Sequence, residues 1–344
     1  GQSFLTWNML GFMTAFQKFD LDNPPVNLAV APITHAGGMV AMSTLSLGGT
    51  VVMMQVAEPG AILKNIERHK ISLLFLPPTL IYVLMNHPDC PTTDFSSLQY
   101  LIAAAAPFAV EKIARAHDIF GPVICQSFGQ TESGFPLTFI SPGAVSEALR
   151  DERFRHRLKS VGRPVATVGD IKVFDEDGNS LGPDEVGEIV VRGPTVMFRY
   201  INDPEATRAI HKNGWQHTGD LGYRDADGYI YISDRKRDLI ISGGFNVFPL
   251  EIEQILVTHS AVQDCAVIGV PDEKWGEAVK AVIERAPGQD VSEAELIALC
   301  KAQLGSVMAP KSIDFIAELP RSPVGKVLKK ELRAKYWQDR EVRI

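Results

Sequence analysis

Apolar residues along this chain fall into two successive rhythms. Up to about residue 126 they come as short unbroken runs set between helix-length stretches. Runs at 28–31, 50–53, 72–76, 98–104 and 123–126 predict buried strands. Residues 1–19 predict a helix, with Trp7, Leu10, Met13 and then Phe16 or Gln17 at helical intervals; 61–69 and 107–120 predict two more. Strands alternating with helices imply a mostly parallel sheet covered by helices on both faces. Ligands on such sheets gather beyond the carboxyl ends of the strands, where His35, Ala105, Ala106 and Phe128 would lie.

From about residue 160 the rhythm changes to short alternating segments. Residues 170–174 and 188–192 flank an Asp-Glu-Asp-Gly-Asn turn, and with 229–232 they predict a small antiparallel barrel or sheet. Asp225-Ala226-Asp227-Gly228 is turn chemistry, so a hairpin should carry Asp220 on one arm and run into Arg235 on the other. A dense charged run, Asp234 to Asp238, then leads into Ser242-Gly243-Gly244 and a helix opened by Pro249. Beyond it, 266–270, 279–283 and 313–316 predict strands. Ser292 and Glu295 form a capping box, and 329–337 predicts a basic closing helix with Leu328, Leu332 and Tyr336 four apart. The fold class is therefore α/β: a helix-flanked, mostly parallel sheet (1–159), a small antiparallel β-barrel (160–236) and an α+β C-terminal domain (237–344).

The 344 residues suit two or three domains, and 45% hydrophobic against 22% charged residues is ordinary globular composition. A net charge of −7 argues against a nucleic-acid or anionic-membrane binder. Residues 23–57 carry no Lys, Arg, Asp or Glu, yet prolines, paired glycines and hydroxyls interrupt them too often for a lipid-exposed helix, so no integral membrane segment is expected. Four cysteines (90, 125, 265 and 300) lack metal or disulfide spacing and read as buried thiols of a reducing, cytoplasmic compartment.

The charged run, taken alone, is a solvated surface segment; between two folded bodies it reads as a hinge whose charges keep it in water. The ordered series Thr218-Gly219-Asp220, Asp234-Arg235, Asp238, Ile240, Gly243-Gly244 and Glu251-Ile252-Glu253 closely resembles the hinge region of the adenylate-forming superfamily, which includes acyl-CoA synthetases, luciferases and peptide-synthetase adenylation domains. Further segments fit the same pattern. Gln126-Ser127-Phe128-Gly129-Gln130-Thr131-Glu132 resembles its Y-G-x-T-E motif, with Phe128 where Tyr is usual. Ala103-Ala104-Ala105-Ala106-Pro107 resembles the small-residue segment beside adenine, and Pro32 to Gly38 the P-x-x-H-x-x-G segment. Pro320 to Lys326 resembles the P-R-T-x-x-G-K loop, with Ser322 for Thr.

The resemblance implies a two-step ligase that joins a small carboxylic acid to coenzyme A at the expense of ATP, with Mg²⁺. It implies that Ala105, Ala106, Pro107, Gln126, Ser127, Phe128, Gly129, Thr131, Asp220 and Arg235 hold the nucleotide, and that Glu132 holds Mg²⁺. Lys326, with Thr131 and Glu132, would serve catalysis. His35, Gly37, Ala103 and Ala104 would line the acyl pocket, Gly243 and Gly244 the coenzyme A tunnel, and a mobile C-terminal domain would turn about Arg237. Two departures thin the phosphate contacts: Ile241 stands where relatives often carry Lys, and Asn246 where many carry Trp or Gln. The family's Ser/Thr/Gly-rich phosphate loop is not in this sequence, which leaves open a fragment that binds only AMP or acyl-AMP. A domain loading a carrier protein is another alternative, and a homodimer is left open.

Overall fold

The structure is a computed structural model that describes residues 2–104, 106, 108–322 and 326–337. Contacts divide the chain into two compact units: Gly1–Thr218 with Gly222–Ile232, and Gly219–Leu221 with Ser233–Ile344.

The first unit holds a seven-stranded sheet made of β1 (Val26–Ala29), β2 (Thr50–Met53), β3 (Leu73–Leu76), β4 (Tyr100–Ala103), β5 (Ile124–Gln130), β6 (Gly134–Ile140) and β7 (Arg163–Pro164), in the order β2-β1-β3-β4-β5-β6-β7. Strands β1 to β5 run parallel, and β6 and β7 are antiparallel additions. Side chains alternate across the pleat, so each central strand feeds two cores. Leu74, Leu76, Leu101, Ala103 and Ile124 pack with the helices Pro59–Arg68, Pro78–Met85 and Val110–Phe120. Leu73, Phe75, Tyr100, Ile102, Ala104 and Cys125 pack on the other face, against Phe12, Phe16 and Val40.

The first helix, Gln2–Ala15, forms as expected but turns a different face inward. Asn8, Phe12 and, just past its end, Phe16 are buried, while Trp7, Leu10 and Met13 are about two-fifths exposed. The aromatic stack of Phe12 on Phe16, with Tyr100 edge-on to Phe16, wins the interior over the thinner stripe that sequence spacing favoured.

The antiparallel element is half of a barrel: β8 (Asp170–Phe174), β9 (Gly187–Arg192), β10 (His211–Lys212) and β11 (Trp215–Arg224) run in the order β10-β11-β9-β8, with β12 (Ile230–Arg235) also paired to β11. The β11–β12 turn closes as its residues dictate: Asp225 accepts the Tyr229 N–H, and Gly228 takes positive φ.

The second unit carries β13 (Ile240–Ser242), β14 (Phe245–Val247), β15 (Val262–Asp272), β16 (Gly276–Arg285) and β17 (Ser312–Ile316) in a sheet ordered β14-β13-β16-β15, with β17 parallel to β16. One face packs on the helices Pro249–Leu256 and Glu293–Met308 through Ile252, Leu256, Leu296 and Cys300. The other packs on Leu319 and on Leu332 of the closing helix Lys329–Ala334. Ser292 caps its helix by accepting the Glu295 N–H. All four cysteines are buried and free, and no helix among the described residues is long and apolar enough to cross a membrane.

Candidate active site

In the first unit the candidate residues cluster on the β5–β6 hairpin. A register shift between Phe128 and Gln130 puts a bulge at Gly129, where a β-carbon would fall 2.6 Å from the Gly134 carbonyl oxygen, so only glycine fits. The bulge turns Thr131 out to solvent, with Glu132 half-buried beside it. Gln126 and Ser127, on opposite faces of β5, both bond backbone. Gln126 Nε2 donates to the Leu158 and Ser160 carbonyls at 2.9 and 3.3 Å, and Ser127 Oγ donates to Thr138 O at 2.8 Å. Both side chains are therefore bound up in holding neighbouring backbone. The Phe128 ring packs against the half-barrel core. Gln130 Nε2 donates to Thr218 O at 2.9 Å, Gln216 Nε2 to Gln130 Oε1 at 3.3 Å, and Ser133 Oγ to Gln216 Oε1 at 2.5 Å. This chain of bonds fixes the hairpin to the start of β11.

Tyr200 is a candidate site residue that the sequence did not single out. Its hydroxyl donates to Glu132 Oε1 at 2.6 Å, while the Met197 N–H donates to the Glu132 carbonyl at 2.7 Å. Burial, and then the Glu132 carboxylate, push the phenol up to about 12. The signal was faint, since one tyrosine in a loop 68 residues away carries no motif.

The residues expected to line an acyl pocket are only partly brought together. Asn27 to Ala31, Gly37, Val40 and Phe75 line a narrow crevice where the sheet order reverses between β1 and β3. Gly37 faces it, but His35 is exposed at the helix start with Nδ1 2.9 Å from Thr34 Oγ1. Ala103 and Ala104 are buried in cores on opposite faces of the sheet. Ala106 is exposed, and Ala105 and Pro107 lie outside the described residues.

In the second unit, Asp220 on β11 and Arg235 on β12 meet with Nε 3.3 Å from Oδ1. Asp220 is 4% exposed, whereas the Arg235 side chain is 44% exposed. A buried carboxylate beside a half-exposed guanidinium can receive a vicinal diol, the acid accepting and the arginine donating.

The charged run is not the fully solvated segment its composition suggested. Asp234 and Asp238 are 5% and 9% exposed. Asp234 accepts the Arg235 N–H at 2.6 Å and the Leu250 N–H at 2.8 Å, the latter an open donor at a helix start. Arg333 Nη2 bonds Asp238 at 2.8 Å, and its Nη1 donates to the Arg237 carbonyl at 3.1 Å. Lys329 Nζ sits 2.7 Å from Glu253 Oε1. Burial pushes the Asp234 carboxyl up. Burial alone would pull Lys329 down, but Glu253 and Asp234 outweigh it and hold the ammonium above its ordinary value. Arg237 itself extends into solvent.

Gly243 and Gly244 form the two-residue turn between β13 and β14, with φ of +59° and +83° and Ser242 opposite Phe245. Such turns demand left-handed backbone at both positions, so the pair has a structural reason to be glycine before any tunnel is invoked. Ile241 and Asn246 flank it, both exposed. Lys326 is exposed too; its N–H donates to Ser322 Oγ at 3.2 Å, and the Ser322 N–H donates to Lys326 O at 2.8 Å.

Residues 3–201 match the AMP-binding enzyme family, and residues 251–326 match the AMP-binding enzyme C-terminal domain. A medium/long-chain fatty-acid–CoA ligase of Mycobacterium tuberculosis is 37% identical over 342 residues, covering 97% of this chain and 58% of that protein. A feruloyl-CoA synthase of Amycolatopsis is 37% identical over 334 residues, covering 96% of this chain and 65% of the relative. Among solved structures, an amide bond synthetase from Marinactinospora thermotolerans superimposes with a TM-score of 0.88 at 32% identity, over 97% of this chain and 66% of its own. The chain thus spans about three-fifths of the length of these curated relatives. Helix-flanked parallel sheet, half-barrel and α+β C-terminal unit all agree with that kinship: the chain is a member of the AMP-binding enzyme family of adenylate-forming ligases.

Proposed function

We propose that this chain carries the nucleotide- and thiol-handling part of an ATP-dependent acyl-CoA synthetase. The observation that carries the reading is the buried Asp220 facing Arg235 on adjacent strands, which suits a ribose diol. A carboxylate oxygen attacks the α-phosphorus of ATP, the bond to the β-phosphate bridging oxygen breaks, and acyl-adenylate and pyrophosphate form. The thiolate sulfur of coenzyme A then attacks the acyl carbon and AMP leaves, so that acyl-CoA, AMP and pyrophosphate balance acid, ATP and thiol.

Thr131 donates its hydroxyl to phosphate. The exposed Lys326 ammonium is the cation for charge that grows on the phosphoryl oxygens, and one well-placed donor in a dry site lowers such a barrier by roughly 3–4 kcal/mol. Between the half-reactions the part of the chain beyond Arg237 turns about that residue and withdraws Lys326, a closure of familiar type. The Gly243-Gly244 turn then borders the thiol.

Mg²⁺ favours carboxylate and phosphate oxygens and keeps several waters, so it needs few protein ligands. Among the described residues no three acidic, His or Cys side chains gather as a metal cage. Glu132, with Oε1 taken by Tyr200, fits as the single carboxylate for an ion held mainly by phosphates. When bound, Mg²⁺ neutralises phosphate charge.

The amide bond synthetase among the structural neighbours supports a second reading, in which an amine replaces the thiol as nucleophile. Supplying purified protein with acyl-adenylate and either coenzyme A or an amine tests the choice: thioester formation that outpaces amide formation upholds the first reading, and the reverse supports the second.

A further inference from the structure

The exposed Lys326 stands on a short two-stranded arm that is tied down at both roots by ion pairs which no part of the mechanism above requires. The arm is built from 320–322 and 326–328. Arg321 bridges Val327, the Ser322 N–H donates to Lys326 O at 2.8 Å, and the Leu328 N–H donates to Pro320 O at 2.8 Å. At the first root, Arg321 Nη2 reaches Asp264 Oδ2 at 2.7 Å and Glu284 Oε2 at 3.3 Å. Glu284 also accepts the Leu319 N–H at 3.0 Å. At the second root, three residues past Lys326, Lys329 meets Glu253 at 2.7 Å; its side chain is 16% exposed and that of Glu253 15%. Glu253 also accepts the Val267 N–H at 2.7 Å. One turn on, Arg333 is held by Asp238 and the Arg237 carbonyl.

These contacts all lie inside the second unit, and they converge on one geometric effect. Arg321 fixes one strand of the arm to the paired ends of β15 and β16, and Lys329 fixes the other to the helix Pro249–Leu256. A surface lysine has four rotatable bonds and loses most of its value as a catalytic cation unless its Cα is fixed. We propose that Arg321 and Lys329 are positioning residues for Lys326, acting as paired anchors that hold its Cα rigid. The proposal rests on Lys326 serving adenylation, and its test separates the two.

Adenylation is measured as carboxylate-dependent pyrophosphate exchange, and the second step as thioester formation from supplied acyl-adenylate, in Lys326→Ala, Lys329→Met, Lys329→Arg and Lys329→Met/Glu253→Gln. The double variant removes the ion pair without stranding Glu253 as an unpaired charge. Loss of position without loss of binding is expected to lower adenylation kcat about 100-fold in Lys329→Met and in the double variant, with KM for ATP little changed. Lys329→Arg restores most of the rate, and the second step is unaffected throughout. Hydrogen exchange at the Ser322 and Leu328 amides quickens in Lys329→Met and in the double variant, and not in Lys329→Arg. Normal adenylation in Lys326→Ala would remove the reading on which the proposal rests. Loss in Lys326→Ala together with wild-type adenylation and protection in the folded double variant would overturn the anchoring role alone.

Discussion

The Tyr200 hydroxyl and the Glu132 carboxylate share a 2.6 Å hydrogen bond between residues 68 positions apart. The phenol, pushed up to about 12 by burial and by its acidic partner, remains a donor throughout the neutral range. One carboxylate oxygen is thereby committed, and under the proposed magnesium role the other would face the cation. A hydrogen bond to a charged group is worth roughly 1.5–3 kcal/mol. Tyr200→Phe should accordingly raise the Mg²⁺ concentration that half-saturates adenylation by about tenfold or more. A magnesium titration of both proteins checks this, and coincident curves would confine Tyr200 to a packing role.

Asp220 and Arg235 predict a nucleotide specificity. If the buried carboxylate accepts from the ribose, ATP should outperform 2′-deoxy- and 3′-deoxy-ATP in the wild type, and Asp220→Asn should narrow that preference. Each lost charge-assisted bond is worth about tenfold in kcat/KM. Equal preferences in the two proteins would place the ribose elsewhere.

The parallel sheet was legible because runs such as Leu73–Leu76 are buried on both faces and therefore apolar without a break. Strand β6 was not, since Pro136 in its middle reads as a strand breaker, yet β6 pairs with both β5 and β7. The half-barrel hairpin was legible from its Asp-Gly turn. The charged run misled because local sequence shows five charges and not their partners: Arg333 lies 95 residues beyond Asp238, and Lys329 belongs to a helix that looked merely basic. At Gln126 and Ser127 the motif names the residues but not what their side chains do, which is to hold neighbouring backbone.

At the Gly243-Gly244 turn, strain and contact can be told apart. Gly244→Ala meets no neighbour within 4 Å, so its cost is the left-handed backbone alone, about 1–2 kcal/mol. Gly243→Ala adds a β-carbon 2.5 Å from Trp275 Cε3 and should lose more. Urea unfolding gives the order. A Gly244→Ala protein that folds and adenylates normally but forms thioester slowly would support the tunnel role as well.

Alkaline stability should report on Lys329. Its folded value lies above the ordinary lysine 10.5, so the protonated form is favoured by folding. That stabilisation is fully present below pH 10.5 and is lost as pH rises through the higher folded value. Stability of the wild type should therefore fall more steeply above pH 10.5 than that of Lys329→Met/Glu253→Gln. Parallel pH profiles from chemical denaturation would show that the pair contributes nothing there.

The central claim, that a carboxylate is activated on the α-phosphate of ATP, is tested most directly by exchange of labelled pyrophosphate into ATP across a panel of alkyl and aryl carboxylates. Exchange is expected to depend on one class of acid and to disappear in Lys326→Ala, and turnover with coenzyme A is expected to release AMP. Formation of ADP and phosphate, or exchange that ignores the acid supplied, would contradict it.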